Sequence, residues 1–178
     1  ASYAVLQMGY PGGFGADGDH LKKEEDIAMS LELGFTMLTL DCSEHIDSAA
    51  AQASDDDVAR LYAQLPEETR RRYESKYLNR SFQAGDHAIA FDAPTLQRDV
   101  LVYDKAIKFM LRIYETYIRN AARTVDFEIS IDETPTPTLP GSHYLVAAEL
   151  ADAGADIFSM APRFIGEFQK GIDYRGDI

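Results

Sequence analysis

The spacing of apolar and polar residues changes several times along the chain, and each change predicts an element. Tyr3-Ala4-Val5-Leu6-Gln7-Met8 is a short apolar run followed by Gly12-Gly13-Phe14-Gly15, which predicts a buried strand entering a glycine-rich loop. Leu21, Ile27, Ala28 and Leu31 then fall on one helical face, with Asp19 placed to cap that helix and Gly34 to end it. Phe35 to Leu40 is almost continuously apolar and closes on Asp41, the pattern of a parallel strand covered on both faces. Residues 43–57 form an exposed connection into a helix near Val58, and Asp55-Asp56-Asp57 reads as a solvated helix start rather than a cation site.

Pro66 predicts the first position of another helix, with Glu67 and Glu68 in its first turn. Successive residues on a helix point about 100° apart, so Arg70, Arg71 and Arg72 cannot converge on one anion and are assigned to the surface. Asp92-Ala93-Pro94 opens the longest periodic segment, which runs through Leu96, Val100, Tyr103, Ile107 and Met110 to Tyr117 and Ala121. At helical spacing, Tyr103, Tyr114 and Tyr117 are read as core rather than as a stacking platform for a sugar. Val125 to Asp132 alternates, placing Glu128, Ser130 and Asp132 on one face and Phe127, Ile129 and Ile131 on the other. A proline-rich loop from Thr134 to Gly141 leads to a helix over Ser142–Ala153 and then to a strand over Ile157–Ala161.

This order is the signature of βαβ units. The expected fold class is therefore α/β: a (β/α)-barrel-like parallel sheet with helices. A complete eight-stranded barrel takes about 250 residues, so 178 residues predict an incomplete TIM-type barrel. The expected organisation is a single catalytic-domain fragment over 1–178, with a mainly helical insertion at about 46–121.

Composition narrows the function. With 46% hydrophobic residues the chain can bury a core, and its net charge of −13 repels phosphate backbones and anionic lipid surfaces. Neither nucleic acid nor membrane is expected as a partner, and an anionic small molecule would need a local cation. Cys42 is the only cysteine, which removes disulfides and cysteine-based zinc clusters. Without a basic, signal-like start or an apolar run of about 20 residues, the expected location is cytoplasmic.

In parallel α/β folds catalytic groups come from the carboxyl ends of strands. That rule gathers Asp17, Asp19 and His20; Asp41, Ser43, Glu44 and His45; Glu128, Asp132 and Glu133; and Arg163 and Glu167. Imidazole with carboxylates is a ligand set for a divalent ion such as Zn or Mn. No HExxH, P-loop or GxGxxG is present, and Gly12-Gly13-Phe14-Gly15 fits no phosphate fingerprint. His87 is read as a loop residue, and His143 as a helix-start residue that stays a candidate because it follows a strand.

Several segments carry a resemblance: Phe14-Gly15-Ala16-Asp17-Gly18-Asp19-His20, Gly34-Phe35-Thr36-Met37, Phe127-Glu128, Asp132-Glu133-Thr134, Thr136-Pro137-Thr138, Arg163-Phe164-Ile165-Gly166-Glu167, Lys170-Gly171-Ile172-Asp173-Tyr174 and Gly176-Asp177. In this order they resemble the bacterial tagaturonate epimerases from end to end, most loosely over about 46–95. The resemblance implies a metal-dependent, barrel-like sugar-acid epimerase that interconverts D-tagaturonate and D-fructuronate in hexuronate breakdown. It also implies a longer protein, of which this chain is the central part, with a further His motif downstream. Carried over by position, Asp19 resembles the proton acceptor, His20 a metal ligand and Glu128 the proton donor. His143 is the second expected ligand, and Asp132 is its competitor and a substrate contact.

Two alternatives stand beside those roles. Asp19 also suits a helix cap, which would lower its basicity, and Arg163 suits either a bidentate contact to the substrate carboxylate or a structural salt bridge. The inverted centre lies β to the ketone, where enolisation does not acidify the hydrogen. Retro-aldol cleavage and recombination is therefore the expected route, with a metal polarising the ketone. The rival readings are another metal-dependent sugar isomerase or aldolase, and a non-catalytic fragment. Unpaired sheet edges would favour association with a second copy.

Overall fold

The computed structural model describes residues 2–167 and 171–177, so Lys170 of the C-terminal motif lies outside the described residues. The chain opens with α1 (Ser2–Met8) and continues through β1 (Asp17–Leu21), α2 (Glu24–Leu33) and β2 (Met37–Asp41). A 3-10 turn at Ser43–His45 leads to α3 (Ser48–Gln52), α4 (Asp55–Tyr62) and α5 (Glu67–Tyr77), and then to the hairpin strands β3 (Arg80–Ala84) and β4 (His87–Phe91). After them come α6 (Ala93–Ile113), a π-helical turn at Tyr114–Ile118, β5 (Asp126–Ile131), α7 (Pro140–Asp152) and β6 (Ser159–Pro162).

Four strands form one parallel sheet in the order β1-β2-β5-β6, flanked by helices, an arrangement consistent with an incomplete α/β barrel. Its two faces follow from alternation. Leu38, Leu40, Phe127, Ile129 and Ile131 are all 1% exposed or less. Such side chains contribute about 1.5–3 kcal/mol each when fully buried. The opposite face carries Thr39, Asp41, Glu128 and Ser130, aligned as Thr39 beside Glu128 and Asp41 beside Ser130. The helical layer is organised by α6, whose buried Leu96, Val100, Tyr103, Ile107 and Met110 form the predicted stripe. Tyr114 is also buried and Tyr117 packs against the core, as a core reading of these aromatics requires.

Several expectations are corrected. Residues 3–8 are helical, not a strand: Tyr3, Leu6 and Met8 are 79–80% exposed, so the run buries no core, and its Ala, Leu, Gln and Met residues favour helix. The first strand is instead Asp17–Leu21. Asp19 therefore lies in a strand and does not cap a helix; Lys23 precedes α2. The segment at 46–121 includes the β3–β4 hairpin, turned at Gly85 with φ 59°, and His87 opens β4 instead of sitting in a loop. Arg72 is not a bare surface group, because it reaches buried Glu149 and stacks on the Tyr73 ring at 4.0 Å. Gly34 ends α2 in the left-handed conformation, as expected.

Candidate active site

The polar face of the sheet collects acids row by row. In the first row, Thr39 on β2, Glu128 on β5 and Ser159 on β6 lie side by side, and Asp17 on β1, in register with Met37, reaches Thr39 with its side chain. The Thr39 hydroxyl is 3.3 Å from Asp17 Oδ2 and 3.2 Å from Glu128 Oε1, so one proton serves two carboxylates. Ser159 Oγ closes on the other Glu128 oxygen. Burial, followed by the charge of Asp19, raises the Asp17 carboxyl above its ordinary range against the Thr39 hydrogen bond.

The second row depends on an irregular backbone. Gly18 pairs with Leu38 but Leu21 pairs with Leu40, so three residues of β1 span two of β2 and the strand bulges at Asp19-His20. His20 takes φ 54° there, a conformation that non-glycine residues adopt rarely. At the start of this bulge a Cβ on Gly18 would meet Leu38 Cδ2 at 2.8 Å, so a larger residue there would have to displace the Leu38 side chain.

The bulge turns His20 over the end of β2. Its Nδ1 lies 3.3 Å from Asp41 Oδ2 and 3.8 Å from Glu133 Oε1, and its Nε2 lies 3.7 Å from Asp19 Oδ1. Lys22 reaches the same two acids, with Nζ 3.3 Å from Asp41 Oδ2 and 3.4 Å from Glu133 Oε2. The Asp41 side chain is completely buried. Burial opposes its charge, but the hydrogen bonds donated by Ser43 and Lys22 outweigh that and hold its carboxyl at about 2. Burial likewise works against the His20 imidazolium, yet Asp41, Asp19, Glu133 and Asp132 together raise its pKa.

Among the described residues, His20, Asp41 and Glu133 each offer one ligand atom, all within 4.8 Å of one another. One imidazole nitrogen and two carboxylate oxygens at that separation fit a divalent ion that accepts N and O donors. The strand-end rule gathers Asp41 and Glu133 from sequence without giving them a role; Lys22, next to Lys23, carries no signal there.

The other predicted residues divide into those near this group and those on a separate surface. Asp19 and Glu128 share the polar face, and Asp132, bonded to Ser130 Oγ, adds its charge beside His20. His143 lies on α7 and is not part of the converging group; burial lowers its pKa, which favours the neutral ring. Arg163 follows β6, donates its backbone N–H to Thr138 Oγ1 at 2.9 Å, and lines a groove of about 880 Å³ with Tyr144, Phe164 and Ile89. Among the described residues, no helix is long and apolar enough to cross a membrane.

The chain matches the UxaE tagaturonate epimerase family over residues 1–178. It is 38% identical over 178 residues to the tagaturonate/fructuronate epimerase of Thermotoga maritima, covering all of this chain and 36% of that protein. Native and one-glycerol crystal structures of fructuronate-tagaturonate epimerase UxaE from Cohnella laeviribosi resemble it with a TM-score of 0.96, at 69% and 70% identity. Each comparison covers 99% of this chain and 36% of the other, so the chain spans about a third of the length of these relatives.

Proposed function

Because the chain belongs to the tagaturonate epimerase family, we propose that it supplies part of the active site of an enzyme interconverting D-tagaturonate and D-fructuronate, with a divalent cation at His20, Asp41 and Glu133. The observation that supports this reading best is the convergence of one histidine and two carboxylates at the carboxyl end of a polar sheet face. A dication bound there supplies Lewis-acid polarisation of the substrate ketone. It also offsets the acidic surroundings for an anionic keto acid.

The chain's own residues then divide the proton work. Asp19, beside His20 on the bulge, accepts the proton of the β-hydroxyl. The bond between the α and β carbons breaks, its electron pair becomes the enolate, and the β carbon becomes an aldehyde. Glu128, fixed by Thr39 and Ser159, gives a proton to the enolate oxygen and takes it back when the carbons rejoin. The aldehyde turns before re-addition, and Asp19 returns its proton to the new alkoxide, which inverts the centre without loss of its hydrogen. Asp132, whose charge lies beside His20, contacts the substrate hydroxyls.

The test is interconversion of the two keto acids by the intact protein before and after chelation. Chelation is expected to abolish turnover, and added Mn²⁺ or Zn²⁺ to restore it. Asp41→Asn should lower kcat/KM at least about a hundredfold, or about 2.7 kcal/mol. Full activity after exhaustive chelation would remove the metal from the mechanism. Solvent deuterium at the inverted carbon in every turnover would replace cleavage with deprotonation.

A further inference from the structure

We propose that Lys22 is a built-in monovalent counter-ion, occupying the positive position of the His20–Asp41–Glu133 group until a dication displaces it. The proposal rests on the metal reading above and goes beyond it by assigning a residue that sets how tightly the ion is held.

Three observations support it. First, Lys22 and His20 converge on a single atom: both Lys22 Nζ and His20 Nδ1 lie 3.3 Å from Asp41 Oδ2. Second, Lys22 bridges the two acids of the group, taking Asp41 on one side and Glu133 Oε2 at 3.4 Å on the other. Third, the Lys22 side chain is 35% exposed while that of Asp41 is fully buried. The ammonium therefore has a route to water that the carboxylate lacks, and its four-carbon stem can swing outward without moving the strand.

A dication seated against Asp41 Oδ2 would lie within a few ångströms of this ammonium. Like charges at that separation repel strongly in a partly buried site, and salt screens them little. The ion and the ammonium therefore compete for the same oxygen. In the metal-free protein the lysine keeps two carboxylates gathered toward His20 that would otherwise repel each other. Once displaced, it leaves those donors already assembled. The cost is a lower affinity than the three donors alone would give.

Titration of Mn²⁺ into the intact protein, followed by calorimetry, compares the native protein with Lys22→Met and Lys22→Arg. Lys22→Met keeps the apolar stem and removes the charge, and it should tighten Mn²⁺ binding by at least about tenfold. Lys22→Arg keeps the charge and should bind like the native protein. A melting curve without metal adds a readout independent of activity: Lys22→Met should melt lower than native without Mn²⁺, and the gap should close or reverse with Mn²⁺ at saturation.

If Lys22→Met binds Mn²⁺ with unchanged or weaker affinity while the native protein binds it, the counter-ion role is overturned and the metal site stands. Absence of Mn²⁺ binding in all three proteins would instead overturn the site itself, and the role of Lys22 with it.

Discussion

Two groups of carboxylates, one buried in the helical layer and one on the polar face of the sheet, where Asp41 is buried but Asp19 and Glu133 are exposed, are neutralised in different ways. In the helical layer, Glu149 on α7 is 4% exposed, and its Oε1 accepts from Lys76 Nζ at 2.6 Å and from the Tyr77 hydroxyl at 2.7 Å. Arg72 takes the other oxygen. Burial opposes the charge of Glu149, but these donors outweigh it and lower its pKa. Nearby Asp104 accepts from Lys108 at 2.6 Å and from Tyr73 at 3.1 Å. Every carboxylate in that cluster has both a cation and a hydroxyl. On the polar face of the sheet, Asp17, Asp19, Asp41, Glu128, Asp132 and Glu133 share Lys22, His20 and a few hydroxyls among the described residues. A cluster built for stability closes on itself; this one is short of positive charge, as a site that receives a cation would be.

Breaking the closed cluster should produce the largest stability effect. Glu149→Ala leaves Arg72, Lys76 and the Tyr77 hydroxyl without their acceptor and should cost about 3 kcal/mol in denaturant unfolding. The comparison fails if that loss is under about 0.5 kcal/mol, the range of an ordinary surface change.

Asp99, on α6, sharpens the comparison because it is the open carboxylate of the helical layer. Ser142 donates to its Oδ1 at 2.7 Å, Oδ2 has no hydrogen-bond partner among the described residues, and burial raises its pKa to about 6. The folded value lies above the 3.8 of an unperturbed Asp side chain, so the folded state binds the proton more tightly and stability falls as pH rises from about 4 to 6. Asp99→Asn should remove that slope and add about 1–2 kcal/mol at pH 7. A stability profile that still falls over the same interval in the variant would locate the titration elsewhere.

The smallest effect falls on the polar face. Thr39→Val removes the hydroxyl shared by Asp17 and Glu128. It should change stability by no more than about 1 kcal/mol while lowering kcat/KM about tenfold, with Thr39→Ser restoring most of the rate. Equal losses of stability and rate would make the row structural, like the cluster around Glu149.

How much of this was legible in the sequence follows from what each element buries. β2, β5, α6 and α7 announce themselves because a periodic apolar face meets the core, and β6 is displaced by only two residues from its expected start. β1 hides for the opposite reason: Asp17-Gly18-Asp19-His20-Leu21 spends its side chains on the polar face and offers only Gly18 as a buried position. The exposed run at 3–8 imitates the strand that β1 is, and the hairpin at 80–91 has too few buried positions to show a clear period. The strand-end rule gathers Asp19, His20 and Glu128 as candidates, and the family resemblance gives them their roles. The grouping of His20 with Asp41, Glu133 and Lys22 required the register shift in β1, and a register shift leaves no trace in composition or spacing.

That shift also limits how the centre can be copied. His20 faces Asp41 because its peptide is rotated out of the regular pleat, with φ at 54°. An engineer who transplanted the four side chains onto a regular strand of another scaffold would reproduce the chemistry on paper and aim the imidazole elsewhere. The portable unit is the kinked pentapeptide together with the neighbouring strand that holds its bend.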